Sequence, residues 1–540
     1  MRGRLWREAC ILSLSSLALL VHPTKGFSAP AWKSAFTLGT RLCPPLATTQ
    51  PHHRVQAARM PRGGALNLGM QFGGLTSLLR GGGAAGPSGN GNKDDPNAPL
   101  QDSAPSWADL KTTLEKQQTP EEKAFRSHLA AGRSKTHSLA TLRLFDAPDG
   151  TEPRVTLYRD VAAWCPYCEK VWLQLEEKRI PYKVEKVNMR CYGDKPDWFM
   201  RMQPSGGIPV AKIDGRVITE SNDIMQTLED VFPDHNPLTP DASDPQSPRV
   251  RGLLRLEREI FSAWFRWLVS STKAGDAQQK NFEGLMDRVD AELAQAHEIA
   301  TANGAVEGRL FLGDKFSIVD CMFAPFLERM VASVPYFKGL LIRNNPRWPH
   351  VTKWFEAMEQ RESFAGIESD YYTHVHNLAP QIGTCWSHKE AKAYADEIDG
   401  RGDAWRLPLK EGIEPVQFKD DDAARREAAE RIISNHQAIV KFALRAVGQK
   451  GFPGVSSPLA DPNAVPDLRF TPHVDAAMRH VVGSLLEHGK EGLEVSEGLP
   501  KYTVQECLQY FNERISVPRD MSWSARRQLC AHANRVSDAL

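Results

Sequence analysis

The stretch VTLYR at 155–159 alternates apolar and polar positions and is rich in β-formers, so it reads as a strand. Behind it, a helix from Cys165 to Arg179 would gather Val171, Trp172 and Leu175 on one side. YKVEKVN at 182–188 returns to the strand pattern. Strand, helix and strand in so short a run predict a βαβ unit with parallel pairing. PVAKI (209–213) and RVITE (216–220) then flank Asp214–Gly215, a tight-hairpin signal. A helix from Ser221 to Val231 closes the run.

From 250 onward the apolar period becomes helical. VRGLLRLEREIFSAWFRWLVSS (250–271) and the segment around 281–302 are amphipathic. FSIVDCMFAPFLERM (316–330) opens on a Ser317–Asp320 capping box, and Pro325 should kink it. WPHVTKWFEAME (348–359) completes the group. The Pro- and Asp-rich stretch 232–248 separates the two halves. Residues 385–540 change character. Asp420 to Val447 reads as one long helix stopped by Gly448, with further helices near 473–488, 503–516 and 522–538. Upstream, residues 96–150 begin polar and read as unstructured, with a short helix at Thr119 and the regular fold starting near Pro153. The expected fold class is α+β/α. A thioredoxin-like domain of order βαβ–ββα covers 153–233, an all-helical domain 249–370 and a further mostly helical region 385–540, with a linker over 96–152.

Length changes this picture little: 540 residues accommodate two to four domains. The formal charge of +1, from 67 basic and 66 acidic residues, gives no reason to expect nucleic acid or anionic lipid as partner. The nine cysteines are scattered singly except for Cys165 and Cys168. That is no disulfide framework, and a reducing compartment fits it. At the N-terminus, Arg2, Arg4 and Arg7 precede an apolar run, Ala9 to Val21, too short to span a bilayer. Residues 1–26 read as a signal peptide. Residues 27–95 read as a transit peptide, since Phe27 to Lys93 carries seven Lys or Arg and no Asp or Glu. The pair, with Phe27 at the junction, resembles the bipartite presequence of algae with secondary plastids. A plastid location, with no membrane association of the mature chain, is therefore expected. A secreted protein with an unstructured leader is the alternative, and the isolated cysteines speak against it.

The chemistry concentrates in AAWCPYCEK, 162–170. A structural zinc site needs four ligands, and no second CxxC or His pair stands at usable spacing, so no metal is expected. Two inert core cysteines are a second reading. Pro166 opposes it, because it places Cys165 at the end of a loop and starts a helix. A sulfur there lies against the free N–H groups of the first turn, which carry about half a positive charge and favour thiolate. Cys165 is thus a candidate nucleophile. Cys168, one turn on, either resolves a mixed disulfide or is inert packing; both remain open.

These motifs resemble the glutathione transferase superfamily, and within it the omega class. CPYC stands where that class has Cys-Pro-aromatic. KPDWFMRMQPSGGIPV (195–210), ESNDIMQTLEDVFP (220–233) and SIVDCMFAPFLER (317–329) match three further motifs in order, over about 155–365. The resemblance implies glutathione as co-substrate and Pro209 as a cis-proline at the site. It implies that backbone groups of Ile208 pair with the cysteinyl part of glutathione and that Lys195 holds its glycine carboxylate. Glu220 and Ser221 would take the γ-glutamyl end. Bland readings stand beside these: Lys195 and Glu220 as surface charges, Ser221 as a plain N-cap, Pro209 as a turn residue. A second substrate, small and electrophilic, disulfide or glutathionylated, would bind between the domains, with Phe261, Trp264 and Trp267 as candidate lining. The family's dimers imply a homodimer as an option.

Two departures stand out. Omega transferases keep one cysteine where this chain has two. Residues 385–540 lie outside the pattern and resemble, chiefly through SVPRDMSWSARRQL (516–529), an extension on plastid transferase-like proteins with no assigned role. The implied activity is thiol transfer or reduction by Cys165, such as deglutathionylation or dehydroascorbate-type reduction. A conjugating transferase and a non-catalytic scaffold are the rivals.

Overall fold

A computed structural model describes residues 94–540 apart from 272–274, 306–307, 416–419 and 491. The expected signal peptide (1–26) and all but the last two residues of the expected transit segment (27–95) lie outside the described residues. No described helix is long and apolar enough to cross a membrane.

The chain opens with helices α1 (Trp107–Gln117) and α2 (Pro120–Ala130), the second capped by Thr119 as the sequence indicates and closed by a Thr119–Glu122 capping box. Next come strand β1 (Leu142–Arg143), β2 (Val155–Asp160), helix α3 (Pro166–Lys178), β3 (Tyr182–Val187), a short α4 (Asp197–Met202), β4 (Val210–Ile213), β5 (Arg216–Thr219) and α5 (Ser221–Val231). The sheet order is β1-β3-β2-β4-β5. β2 and β3 run parallel, with Val155 opposite Tyr182, and the remaining pairs are antiparallel. This is the thioredoxin-like arrangement. Every residue of α3 from Cys168 to Lys178 is buried, because it is held between the sheet and the helices that follow.

The helical part comprises α6 (Ser247–Leu268), α7 (Gly275–Ala302), α8 (Ile318–Lys338), α9 (Pro349–Glu359), α10 (Glu362–Ala365) and α11 (Tyr371–Ile382). Its centre is α8, buried along almost its whole length. The Ser317–Asp320 capping box is present, and Asp320 also accepts from the Trp354 indole at 2.9 Å. The helix runs on to Lys338 through Pro325 and Pro335, beyond the stretch the apolar period suggested.

The C-terminal region adds α12 (Lys392–Ile398), α13 (Asp421–Ile433), α14 (His436–Ala443), α15 (Thr471–Leu486), α16 (Lys501–Asn512) and α17 (Trp523–Ala539). The single helix expected over 420–447 is divided between Ile433 and His436. Ser434 Oγ and Asn435 Nδ2 donate to the carbonyls of Glu430 and Arg431, the competition by short polar side chains that ends helices.

The expectation of an unstructured polar segment before Thr119 also fails. Leu110 and Leu114 of α1 are buried. The Trp107 indole donates to Asp475 at 2.9 Å, Gln117 Nε2 to the Leu486 carbonyl at 3.1 Å, and the Arg479 guanidinium holds Asp102. These partners belong to the C-terminal region, so residues 94–117 fasten the front of the described chain to its end. That region is fastened in turn to α11. Arg526 pairs with Asp370 at 2.9 Å with both side chains fully buried, and the Val517 N–H donates to Thr373 Oγ1 at 3.1 Å. One apolar core runs from Leu110 to Val536.

Candidate active site

Asp160 ends β2, and a four-residue loop leads to Cys165, the N-cap of α3, with Pro166 in the first helical turn. Within that loop Ala163 takes a left-handed φ of 54°. Asp160 fixes the turn: its Oδ2 accepts from the Trp164 N–H at 2.7 Å. From the other side, Arg329 of α8 donates to the Trp164 carbonyl, pairs with Glu169 at 2.9 Å and lies 4.7 Å over the Trp164 ring. A single buried cation thus clamps the loop before Cys165 onto the helical layer. Burial first, and then Glu328, push the Glu169 carboxyl well above the usual range, and burial with Arg329 brings His374 down to about 3.

Cys165 makes no hydrogen bond into its own helix cap. Its Sγ lies 4.0 Å from the Ile208 carbonyl, and the Ile208–Pro209 bond is cis. The structure therefore brings Cys165, Ile208 and Pro209 together. Cys168 lies behind at 1% exposure, and burial, with Cys165 and Asp160 nearby, pushes its thiol well above the usual range.

Ser221 is buried at the head of α5, and Glu220 before it is exposed with a left-handed φ of 64°. Their helix is tied to the cysteine helix by Lys170, whose Nζ donates to Asn222 Oδ1 at 2.5 Å. Burial and then Arg258 bring the Lys170 ammonium down to about 7, against the opposing pull of Glu257, Cys165 and Glu220. Lys195 is half-buried; it donates to the Asn188 carbonyl and lies 5.4 Å over the Phe199 ring. Burial lowers its ammonium, while Cys168, Cys165 and Asp160 oppose that shift.

The three aromatic candidates divide. Trp264 and Trp267 are core residues, the first bonded to Ser333 Oγ at 2.9 Å and the second packed on Phe282. Phe261 connects to the cysteine helix, through Phe326. It packs on Phe326 at 4.9 Å, which meets Tyr167 of the CPYC motif at 5.7 Å, and Arg258 covers both phenyl rings.

Asp160 was not singled out by sequence reasoning. Its carboxylate, Cys165 Sγ and Cys168 Sγ all lie within 4.8 Å of one another. No fourth His, Cys, Asp or Glu joins them among the described residues, so the group lacks the closed tetrahedral set of a structural zinc site. The signal available was an acid at the end of a strand, five positions before the first cysteine. Arg329 and Lys170 look like ordinary helix-face charges in the sequence and carry no such signal.

Residues 164–231 match the family description "Glutathione S-transferase, N-terminal domain", and residues 272–357 match "Glutathione S-transferase, C-terminal domain". "Glutathione S-transferase DHAR2" of Arabidopsis thaliana is 30% identical over 210 residues, 39% of this chain and 86% of that protein. "Glutathione S-transferase DHAR3, chloroplastic" of the same plant is 28% identical over 220 residues, 40% of this chain and 74% of that protein. Among solved structures, Chlamydomonas reinhardtii dehydroascorbate reductase aligns at 24% identity over 41% of this chain and 94% of that one, with a TM-score of 0.33.

Proposed function

We propose, for a chain that belongs to the glutathione transferase superfamily, a glutathione-dependent thiol transferase or reductase with Cys165 as its nucleophile. The observation that carries this is the position of Cys165 Sγ, at the start of a buried helix and 4.0 Å from the Ile208 carbonyl. A tyrosine or serine at this place would activate the sulfur of glutathione for conjugation. A cysteine instead forms the covalent link itself.

Glutathione lies along the loop edge in this reading. Backbone groups of Ile208, beside Pro209, pair with its cysteinyl residue in the manner of an added strand. Lys195 turns from the Asn188 carbonyl to the glycine carboxylate. Ser221, at the head of α5, offers free first-turn N–H groups to the γ-glutamyl carboxylate, and Glu220 faces its ammonium. Cys165 attacks a disulfide or glutathionylated substrate, and a second thiol, from glutathione or from Cys168, releases the mixed disulfide. The patch of Phe261, Phe326 and Tyr167 favours an acceptor with an apolar part. The same reading places the protein in a plastid. The composition of residues 27–95 supports this, as does a relative whose name carries "chloroplastic".

The test is Cys165→Ser in the full chain, assayed with glutathione and a small mixed disulfide, with dehydroascorbate and with a chlorodinitrobenzene-type electrophile. Loss of the first two activities is expected. Retention of full thiol transfer by the variant would refute the assignment.

A further inference from the structure

We propose that Asp160 is the proton acceptor that lets Cys168 close a disulfide onto Cys165, so that the site runs a two-thiol cycle. The inference rests on Cys165 being the nucleophile that receives the mixed disulfide.

The geometry is that of an acid placed beneath a dithiol. The Asp160 carboxylate and the two sulfurs lie within 4.8 Å of one another, and all three residues are buried. Asp160 Oδ2 is occupied by the Trp164 N–H at 2.7 Å. Its Oδ1 is buried and takes no hydrogen bond. A buried carboxylate oxygen without a donor costs free energy. Native chains rarely keep such a group without a use. The Cys168 thiol, within 4.8 Å of the carboxylate, is a donor that a small movement would bring to it.

Cys168 needs such a partner. It is 1% exposed, so hydroxide and buffer bases have poor access. Burial also holds its proton on the sulfur at neutral pH. Around the trio, Arg159 donates to the Asp160 carbonyl at 2.9 Å. Lys186 and Lys195 lie within electrostatic reach of the carboxylate, as does the Cys191 thiol. Arg159, Lys186 and Lys195 thus set positive charge around the trio.

The step balances as follows. Cys165 carries glutathione through an S–S bond. The Cys168 S–H bond breaks and its proton passes to Asp160 Oδ1. The freed electron pair forms the Cys165–Cys168 bond. The bond to glutathione breaks, and glutathione leaves as thiolate with the bonding pair. Two further glutathione molecules reduce the protein disulfide to two thiols and depart as glutathione disulfide, and Asp160 returns its proton to solvent.

The experiment mixes the reduced full chain with glutathione disulfide, quenches at intervals with acid and an alkylating agent, and follows two species by mass spectrometry: the Cys165 adduct and the internal disulfide. Wild type should pass through the adduct to the disulfide, and Cys168→Ser should stop at the adduct. Asp160→Asn keeps an acceptor for the Trp164 N–H but loses the base. It should close at least about tenfold more slowly at pH 7, at the low end or below of general-base contributions, with a rate that climbs with pH where wild type is flatter. Asp160→Glu, which keeps a carboxylate, should recover part of the rate. Closure of Asp160→Asn at the wild-type rate and pH profile would overturn the proposal, as would a wild type that halts at the adduct. A wild type that takes no adduct at all would instead remove the nucleophile assignment on which the proposal rests.

Discussion

Replacing Arg526 with methionine would strand the Asp370 carboxylate in the interior. The guanidinium and the carboxylate are 2.9 Å apart and both are 0% exposed. The cation also lies 4.1 Å over the Tyr372 ring and 4.5 Å over Trp405, contacts that methionine replaces only in part. Breaking one side of a fully buried pair costs about 3–5 kcal/mol, because the surviving charge keeps its desolvation penalty. An exposed pair such as Lys111–Glu115 is worth about 0.2–1 kcal/mol. Asp370 retains one donor, the Thr373 N–H at 2.9 Å, which places the expected loss toward the lower end of the buried range. Asp370→Asn keeps that cap through its amide oxygen and removes the charge, so the double variant should regain much of the stability lost by Arg526→Met. Denaturant titration of wild type, both single variants and the double variant closes a thermodynamic cycle for the pair. A cost below about 1 kcal/mol for Arg526→Met, or a double variant no better than that single one, would show that this pair does not fasten the C-terminal region to α11.

Leu114→Ala should cost about 2–5 kcal/mol, the range for a buried leucine, because α1 packs into the common core; an effect near zero in the same titration would make α1 a passive appendage. His532, bonded to Ser484 Oγ at 2.8 Å, is brought down to about 3 by burial first and then by Arg425 and Arg535. The unfolded chain takes up this proton near pH 6.5 while the folded chain does not, so stability falls as pH drops from about 6.5 toward 3. Relative to His532→Gln, wild type should lose about 1.4 kcal/mol per pH unit within that window, and parallel stability curves would contradict the assignment. Lys195→Ala should raise KM for glutathione about 10- to 100-fold with a smaller change in kcat, the worth of one charge-assisted hydrogen bond; an unchanged KM would return Lys195 to the role of a surface cation.

Much of the fold could be read from the sequence where the apolar period was dense. Helix α5 runs from Ser221 to Val231, the range the pattern indicates, and strands β2 to β5 fall within one residue of their expected ends, whereas the two-residue β1 at Leu142–Arg143 was missed and lies before the expected start of the fold near Pro153. Helix α1 was missed because its buried face rests on Leu110 and Leu114 alone, with a Ser106 cap as the local clue, and its partners stand hundreds of positions away. The division of the 420–447 helix was missed because Ser434 and Asn435 break it by side-chain hydrogen bonds rather than by Gly or Pro. At the site, CPYC stood out because Pro166 fixes where the helix starts, and Ile208–Pro209 came only through the resemblance to the glutathione transferases. Asp160, Arg329 and Lys170 were not, since their roles come from what lies across the layers: Arg329 reaches Glu169 over 160 positions.

The clasp between α1 and the C-terminal helices also sets an order of events during synthesis. Trp107 emerges first and must wait for Asp475, 368 positions later, before its indole has a partner. The sheet and the helices through α11 can assemble while translation continues, since their contacts are mostly closer along the chain. Helix α1 can find its seat only when the chain through Leu486 has left the ribosome. Until then its apolar stripe stays open to chaperones and to neighbouring nascent chains.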